Sequence, residues 1–314
     1  MTPNVDFAAA RRVETAAIPV IDVSAAVGRG DLADIAAQIN KAATDIGFFY
    51  ISGHGIDQAL IDQAFAVTRD FFAQPASVKQ TVAVNTQQRG WMATGMSRLH
   101  GSETHDLKEV FFWGTEVAPD DADLVAGKPL VAQNQWPRKA FPRLEVEVRP
   151  YYNALCSVAK KVLSAIAVSL DQPSDFFDDR YEKPLARGQL VYYPPSTGKD
   201  EQERRFGVAT HTDFGVLTFL LQDDNGGLQL RLKSGEWIEA PPLPGTLVCN
   251  IGDLLQRWTN DRFTSTMHRV INRSGNERHS IPVFFDPNTD TIIDPCDLGI
   301  ASADSKYPPV RAGD

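Results

Sequence analysis

Apolar positions recur along the first part of the chain with the period of a helix. Leu32, Ile35, Ala36 and Ile39 fall at i, i+3, i+4 and i+7, which predicts an amphipathic helix running toward Asp45. A second helix is expected from about Asp57 to Phe72. The longest helical pattern is Ala154, Leu155, Val158, Ala159, Val162, Leu163, Ile166, Ala167 and Leu170, a continuous apolar face suited to a buried spine beneath a sheet. Pro150 lies where that helix would extend backwards, and marks a start or a kink. Ile18 to Val23 and Gly47 to Ser52 read as short strands, the second followed by the turn Gly53-His54-Gly55.

Beyond residue 180 the pattern changes to short apolar runs separated by turn residues. Strands are expected at Gln189 to Tyr193, Val208 to Thr212, Leu217 to Gln222, Gly227 to Leu232, Trp237 to Ala240, Thr246 to Ile251, Met267 to Asn272 and Arg278 to Phe285. Short strands at this spacing predict a mainly β fold with flanking helices, its core a double-sheet jelly roll, or distorted double-stranded β-helix. No repeat and no Gly-, Ser- or Pro-rich linker divides the chain. The expectation is one domain over 1–314, with 1–180 mainly helical and packed outside a catalytic core at 181–314.

Composition narrows the partners more than the fold. Hydrophobic residues at 43% and charged residues at 23% are ordinary globular values. A net charge of -9 argues against binding a phosphate backbone, so no nucleic-acid partner is expected. Cys156, Cys249 and Cys296 form no CxxC pair, so neither a disulfide framework nor a thiolate zinc site is indicated. No apolar run is long enough to span a membrane, and a soluble cytoplasmic protein is expected.

Candidate chemistry sits in the strand-rich part. His211 and Asp213 are two residues apart, and in an extended chain such positions share a face. With His268, on a later expected strand, they supply two imidazoles and one carboxylate, a set that leaves the opposite face of a ferrous ion open. A His-x-Asp triplet alone arises easily by chance, as the isolated His54, His100, His105 and His279 warn. His54, between glycines, is expected to satisfy backbone groups in its turn, and His279 to face away from its neighbours. Those neighbours, Arg278 and Ser280, share a strand face and are suited to a carboxylate. Tyr193 adds a hydroxyl able to donate to a second carboxylate, with Tyr192 pointing the other way into the core.

The order of these motifs resembles the isopenicillin N synthase-like branch of the iron(II)/2-oxoglutarate oxygenases. The likeness runs through His211-Thr-Asp213-Phe-Gly215, Gly227-Leu-Gln-Leu230, Pro242-Leu-Pro-Gly245, Asn250-Ile-Gly-Asp253, His268-Arg-Val270 and Arg278-His-Ser280. It continues in Ile18-Pro-Val-Ile-Asp22, Gly47-Phe-Phe-Tyr50, His54-Gly-Ile56, Arg89-Gly-Trp91 and Asp106-Leu-Lys-Glu109. The resemblance implies Fe(II) on His211, Asp213 and His268, and 2-oxoglutarate as cosubstrate with its distal carboxylate on Arg278 and Ser280 and Tyr193 nearby. It also implies oxidation of a small-molecule substrate by O₂, hydroxylation by default, with 2-oxoglutarate decarboxylated to succinate. Three departures stand out. Val191 occupies a position where plant members often have Asn, and Ser97 one where many relatives have Glu. Relatives usually continue past a segment like Tyr307 to Asp314, so a closing C-terminal lid is expected to be missing or trimmed.

Substrate contacts are expected from the segments Arg89 to Trp113 and Ser196 to Phe206, with Arg98 a candidate carboxylate grip and Phe111 and Trp113 candidate pocket walls. Arg204 and Arg205 read as solvent-facing loop charges. The competing readings are a 2-oxoglutarate-independent iron(II) oxidase of the isopenicillin N synthase type, a non-catalytic jelly-roll binding module, and a zinc hydrolase. The last usually carries HExxH, which is absent from the sequence.

Overall fold

The computed structural model describes residues 10–11, 17–28, 30–98 and 104–314. The early elements are β1 (Val20–Asp22), α1 (Ser24–Val27), α2 (Ala33–Asp45), β2 (Phe48–Ser52), α3 (Gln58–Phe72) and α4 (Ala76–Gln80). They are followed by β3 (Gly90–Met92), β4 (Glu109–Gly114), α5 (Ala122–Val125) and α6 (Arg143–Ser169). The strand-rich part holds β5 (Leu185–Tyr193), α7 (Gly198–Gln202), β6 (Val208–His211), β7 (Leu217–Gln222), β8 (Leu228–Arg231) and β9 (Trp237–Glu239). It ends with β10 (Leu247–Ile251), α8 (Asp253–Trp258), β11 (His268–Val270), β12 (Arg278–Asp286), β13 (Ile292–Ile293) and β14 (Val310–Arg311). Each of the eight strands expected beyond residue 180 is present, most of them trimmed by a residue or two at the ends.

A large eight-stranded sheet runs in the order β1-β2-β10-β7-β12-β5-β4-β3, and a smaller sheet in the order β6-β11-β8-β9. Together they form the jelly-roll core. The expectation of a helical first half packed outside it needs an amendment. Strands β1 to β4 all precede residue 180, and they extend the large sheet at both of its edges.

Alternation along each strand splits the apolar residues into two layers. Phe49, Ile51, Phe219, Leu221, Cys249, Ile281, Val283 and Phe285 face outward and pack with the buried faces of α2, α3 and α6. Phe48, Tyr50, Val191, Tyr193 and Val248 face inward toward Val208, Leu228, Leu230 and Val270 of the small sheet. Period-2 alternation therefore gives the large sheet a helix-covered face and a face that encloses the site.

Helix α6 corrects the placement of Pro150 as a start, because the helix begins at Arg143 and continues through the proline. Pro150 has no N–H for the carbonyl four residues earlier, at Val146. Val146 is exposed, so that carbonyl can turn to water. No helix among the described residues is long and apolar enough to cross a membrane.

Candidate metal centre

Strands β6 and β11 are antiparallel neighbours in the small sheet, with His211 directly opposite His268. Their imidazole rings lie 4.2 Å apart between centroids. Asp213 follows the end of β6 and turns between them: its Oδ1 is 3.7 Å from Nε2 of His211 and 3.7 Å from Nε2 of His268. The ligand atoms of His211, Asp213 and His268 fall within 4.8 Å of one another, and among the described residues theirs is the only such group of three or more His, Cys, Asp or Glu side chains. The three side chains that the sequence pairs across a long gap are brought to one point.

The remaining atoms of these side chains are already committed. Nδ1 of His211 is 2.8 Å from the Ala209 carbonyl, and Nδ1 of His268 is 3.0 Å from the Thr266 carbonyl. A carbonyl can only accept, so each Nδ1 carries a proton and each Nε2 is turned toward Asp213. Oδ2 of Asp213 accepts from Thr218 Oγ1 at 2.6 Å and from Asn250 Nδ2 at 2.8 Å, leaving Oδ1 for the shared point. Burial, with the neighbouring His268 adding to it, pushes His211 down to about 3 and so keeps it neutral. Burial works against charge on Asp213, but the two imidazoles and the Asn250 and Thr218 hydrogen bonds hold its carboxyl below the usual range. Neutral imidazoles and an ionised carboxylate are the states in which these groups bind a divalent cation, so this donor set fits Fe(II).

Backbone contact fixes the turn that carries Asp213. Asp253 N–H donates to the Asp213 carbonyl at 2.7 Å, and Thr212 Oγ1 donates to Asp253 Oδ2 at 3.0 Å. A Cβ on Gly252 would stand 2.2 Å from the Gly215 carbonyl oxygen, and one on Gly215 would stand 2.0 Å from Asp286 Oδ1. The glycines of His211-Thr-Asp-Phe-Gly215 and Asn250-Ile-Gly-Asp253 are thus two halves of one close backbone approach.

Farther along the inward face of β12 lies Arg278, fully buried. Its Nε donates to the Gly226 carbonyl, its Nη2 to Gln222 Oε1 at 3.1 Å, and its Nη1 to Ser280 Oγ at 3.4 Å. These are neutral acceptors, and among the described residues no carboxylate lies within 4.0 Å. The guanidinium sits 4.7 Å from the centroid of the Tyr193 ring, directly across the β5–β12 register. The Tyr193 hydroxyl has no hydrogen-bond partner among the described residues. A buried cation with neutral neighbours is costly unless an anion joins it, which suits the cluster to a carboxylate ligand. Gln222 was missed in the sequence. Its signal was parity on β7, where 218, 220 and 222 share the inward face.

Other expected residues fall elsewhere. Phe111 and Trp113 are not pocket walls: Phe111 packs on Phe71 and Trp136, and Trp113 on Trp136 and Tyr152, all on the helix-covered face. Their neighbours Val110 and Phe112 carry the inward parity of β4. Arg98 is exposed, and residues 99–103 of its segment, His100 among them, lie outside the described residues. His54 Nδ1 accepts from Ile56 N–H at 3.1 Å, as its turn position indicated. His279 packs at a tilt beside Phe72 and Tyr192. Arg205 pairs with Asp200 at 3.3 Å rather than standing free.

Comparison with known proteins bears on the same elements. Residues 18–139 match the family described as non-haem dioxygenase in morphine synthesis N-terminal, and residues 188–287 match the 2OG-Fe(II) oxygenase superfamily. The chain is 36% identical to the 2-oxoglutarate-Fe(II) type oxidoreductase hxnY of Emericella nidulans, covering 94% of this chain and 87% of that protein. It is 36% identical to a homoarginine-6-hydroxylase of Glycine max, covering 89% and 88%. Among solved structures, a full-length Neurospora crassa protein in complex with alpha-KG and thymine superposes with a TM-score of 0.82 at 27% identity, over 94% of each chain. A 2OG-Fe(II) oxygenase family protein from Caulobacter crescentus gives 0.82 at 31% identity, over 95% and 96%.

Proposed function

The chain belongs to the 2OG-Fe(II) oxygenase superfamily and is an iron(II)- and 2-oxoglutarate-dependent oxygenase acting on a small molecule with O₂, and from that premise we propose which residues carry the reaction. His211, Asp213 and His268 hold the iron, and Arg278 with Ser280 receives the distal carboxylate of 2-oxoglutarate. Tyr193, against the Arg278 guanidinium, completes the cosubstrate cradle. The observation that carries this reading is the pairing of a metal-ready triad with a buried, carboxylate-free arginine on one enclosed face.

When bound, the iron and the 2-oxo acid supply the oxidising chemistry, with 2-oxoglutarate decarboxylated to succinate. The chain's own residues prepare the place for it. Ala209 and Thr266 carbonyls fix the imidazole tautomers, Thr218 and Asn250 fix the carboxylate, and the inward apolar layer excludes water. Gln222 and Gly226 hold the Arg278 fork so that its remaining donor capacity faces the cosubstrate. Neither nucleic acid nor a membrane is proposed as a partner. The net charge of -9 opposes the first, and a cytoplasmic setting agrees with widely spaced free cysteines.

The test is anaerobic addition of Fe(II) and then 2-oxoglutarate, followed by visible absorption. A charge-transfer band that requires both, and that is lost in Asp213→Ala and in Arg278→Leu, is the expected result. A full-strength band in either variant would overturn the residue assignment. Stoichiometric succinate release on turnover separates this reading from a cosubstrate-free oxidase.

A further inference from the structure

The inward face shared by β5 and β12 carries a cation toward each end, Arg278 and Arg187, and only one of them is used by the cosubstrate. From Arg278 the inward positions run through Ser280, Pro282 and Phe284 to Asp286, and across the register from Phe284 stands Arg187 of β5. Phe284 in turn faces Thr218, the residue bonded to Asp213. Arg187 and Thr218 therefore occupy one rung, two strand spacings apart, or roughly 10 Å. Arg278 lies six residues up the strand, roughly 20 Å along it. Asp213, bonded to Thr218, therefore stands at the Arg187 rung of the sheet rather than at the Arg278 rung.

We infer that Arg187 is the specificity-determining residue of this oxygenase, anchoring a carboxylate of the substrate at the end of the site opposite Arg278. The inference rests on the assignment of Arg278 to 2-oxoglutarate and names the substrate class for that same site.

Arg187 is held loosely for a semi-buried arginine. Its Nη2 reaches Asp286 Oδ2 at 3.4 Å, with no second contact to make the pair bidentate. Its Nε is buried with no hydrogen-bond partner. Asp286 is not free to do better, because its Oδ1 is taken by Val216 N–H at 2.7 Å. Arg187 also forms part of the wall of two adjoining cavities. One, of about 610 Å³, includes Phe214, Gly215 and Asp286, and none of the three iron ligands lines it. The other, of about 310 Å³, includes Arg89.

Arg89 strengthens the case independently. It is buried, its donors reach only the carbonyls of Gln87, Gln88 and Leu130, and its Nε too is without a partner. Among the described residues no carboxylate lies within 4.0 Å of it. Among the described residues these two guanidiniums have one carboxylate within 4.0 Å, Asp286, and each keeps a buried donor unspent, although Glu116, Asp121, Asp123, Glu182 and Asp290 line the same cavity farther off. Planar, paired acceptors with negative charge are what such forks bind best. An amide or alcohol at the same place would satisfy fewer donors.

The test uses the anaerobic holoenzyme with Fe(II) and saturating 2-oxoglutarate, so that Arg278 cannot capture the probes. The probes are acid and primary-amide pairs: benzoate and benzamide, 3-phenylpropionate and its amide, hexanoate and hexanamide, and N-acetylated amino acids with their amides. Binding is read by calorimetry and coupling by succinate release. At least one acid should bind thirty-fold or more tighter than its amide. Arg187→Gln should erase that preference while 2-oxoglutarate affinity stays within about twofold, and Arg187→Lys should restore part of it. An acid preference that is absent across the panel, or that survives Arg187→Gln, would overturn the inference. If stranding Asp286 prevents Arg187→Gln from folding, Arg187→Gln/Asp286→Asn removes both charges and is read the same way. Asp286→Asn alone should keep or increase the preference, and a loss there counts against Arg187 as the anchor. Failure of wild-type protein to bind 2-oxoglutarate would instead strike the Arg278 assignment.

Discussion

Thr218 Oγ1 donates to Asp213 Oδ2 at 2.6 Å across the inside of the sheet, so the carboxylate's aim is set by a residue five positions away on the next strand. Asn250 Nδ2, from β10, holds the same oxygen. Thr218→Val and Asn250→Leu are each expected to weaken Fe(II) binding by roughly ten-fold, since such outer partners typically contribute ten- to hundred-fold in metal affinity. The double variant should lose less than the product of the two, because both act on one atom. Anaerobic equilibrium titration of Fe(II) measures this, and wild-type affinity in the double variant would show that Asp213 orients itself.

Arg278 is a cation buried among neutral acceptors. Arg278→Leu should raise KM for 2-oxoglutarate by roughly 100-fold, the scale for removing one partner of a buried charge pair. Without cosubstrate its stability should not fall, because replacing an unpaired buried charge by an apolar group relieves desolvation. Wild-type protein at 100 times Kd of 2-oxoglutarate should gain about 2.7 kcal/mol, and the variant at the same concentration almost nothing. Paired thermal melts with and without cosubstrate give both results.

Phe111 and Phe112 are adjacent on β4 and face opposite ways. Phe111→Ala is expected to cost about 3–5 kcal/mol by opening a cavity against Phe71 and Trp136, with KM for substrate unchanged. Phe112→Ala should cost less, since its ring is only half-buried, and should shift substrate KM. Urea unfolding beside steady-state kinetics distinguishes them, and a reversed pattern would mean that β4 pairs in the other register.

Gly252→Ala places a methyl where the Gly215 carbonyl stands. Both neighbours are backbone, so relief requires moving the Asp213 turn. A loss of about 1–3 kcal/mol is expected, accompanied by weaker iron binding. Calorimetric melting of the iron-free and iron-loaded forms should show the loss in both and a larger one in the second.

Much of this was legible in the residues. Leu217–Gln222 emerges with the boundaries its alternation predicts, and His211 with Asp213 reads directly as two ligands on one face. Less was legible where one strand depends on another. Glu109–Gly114 contains Val-Phe-Phe-Trp, apolar on both sides, so periodicity cannot say which aromatic looks into the site. Register against β5 decides it. Gln222 became part of the Arg278 cluster only because β7 and β12 set it opposite Ser280. Arg187 was invisible for a similar reason, its meaning given by Phe284 across the strand gap. Of the two readings of Pro150, a start or a kink, the start fails because a proline can be carried in a helix where its orphaned carbonyl faces water.

Strand β2 joins the large sheet by pairing with β10, Ile51 against Leu247 and Phe48 against Asn250. Those partners are about 200 residues apart, so during synthesis β2 must wait with that edge open until β10 has emerged. Asn250, which steadies the iron-facing carboxylate, is on the strand that ends this wait. With His268 later still, metal capture should be among the last events of maturation, and a ribosome-stalled chain ending before β10, which lacks both Asn250 and His268, should retain no iron.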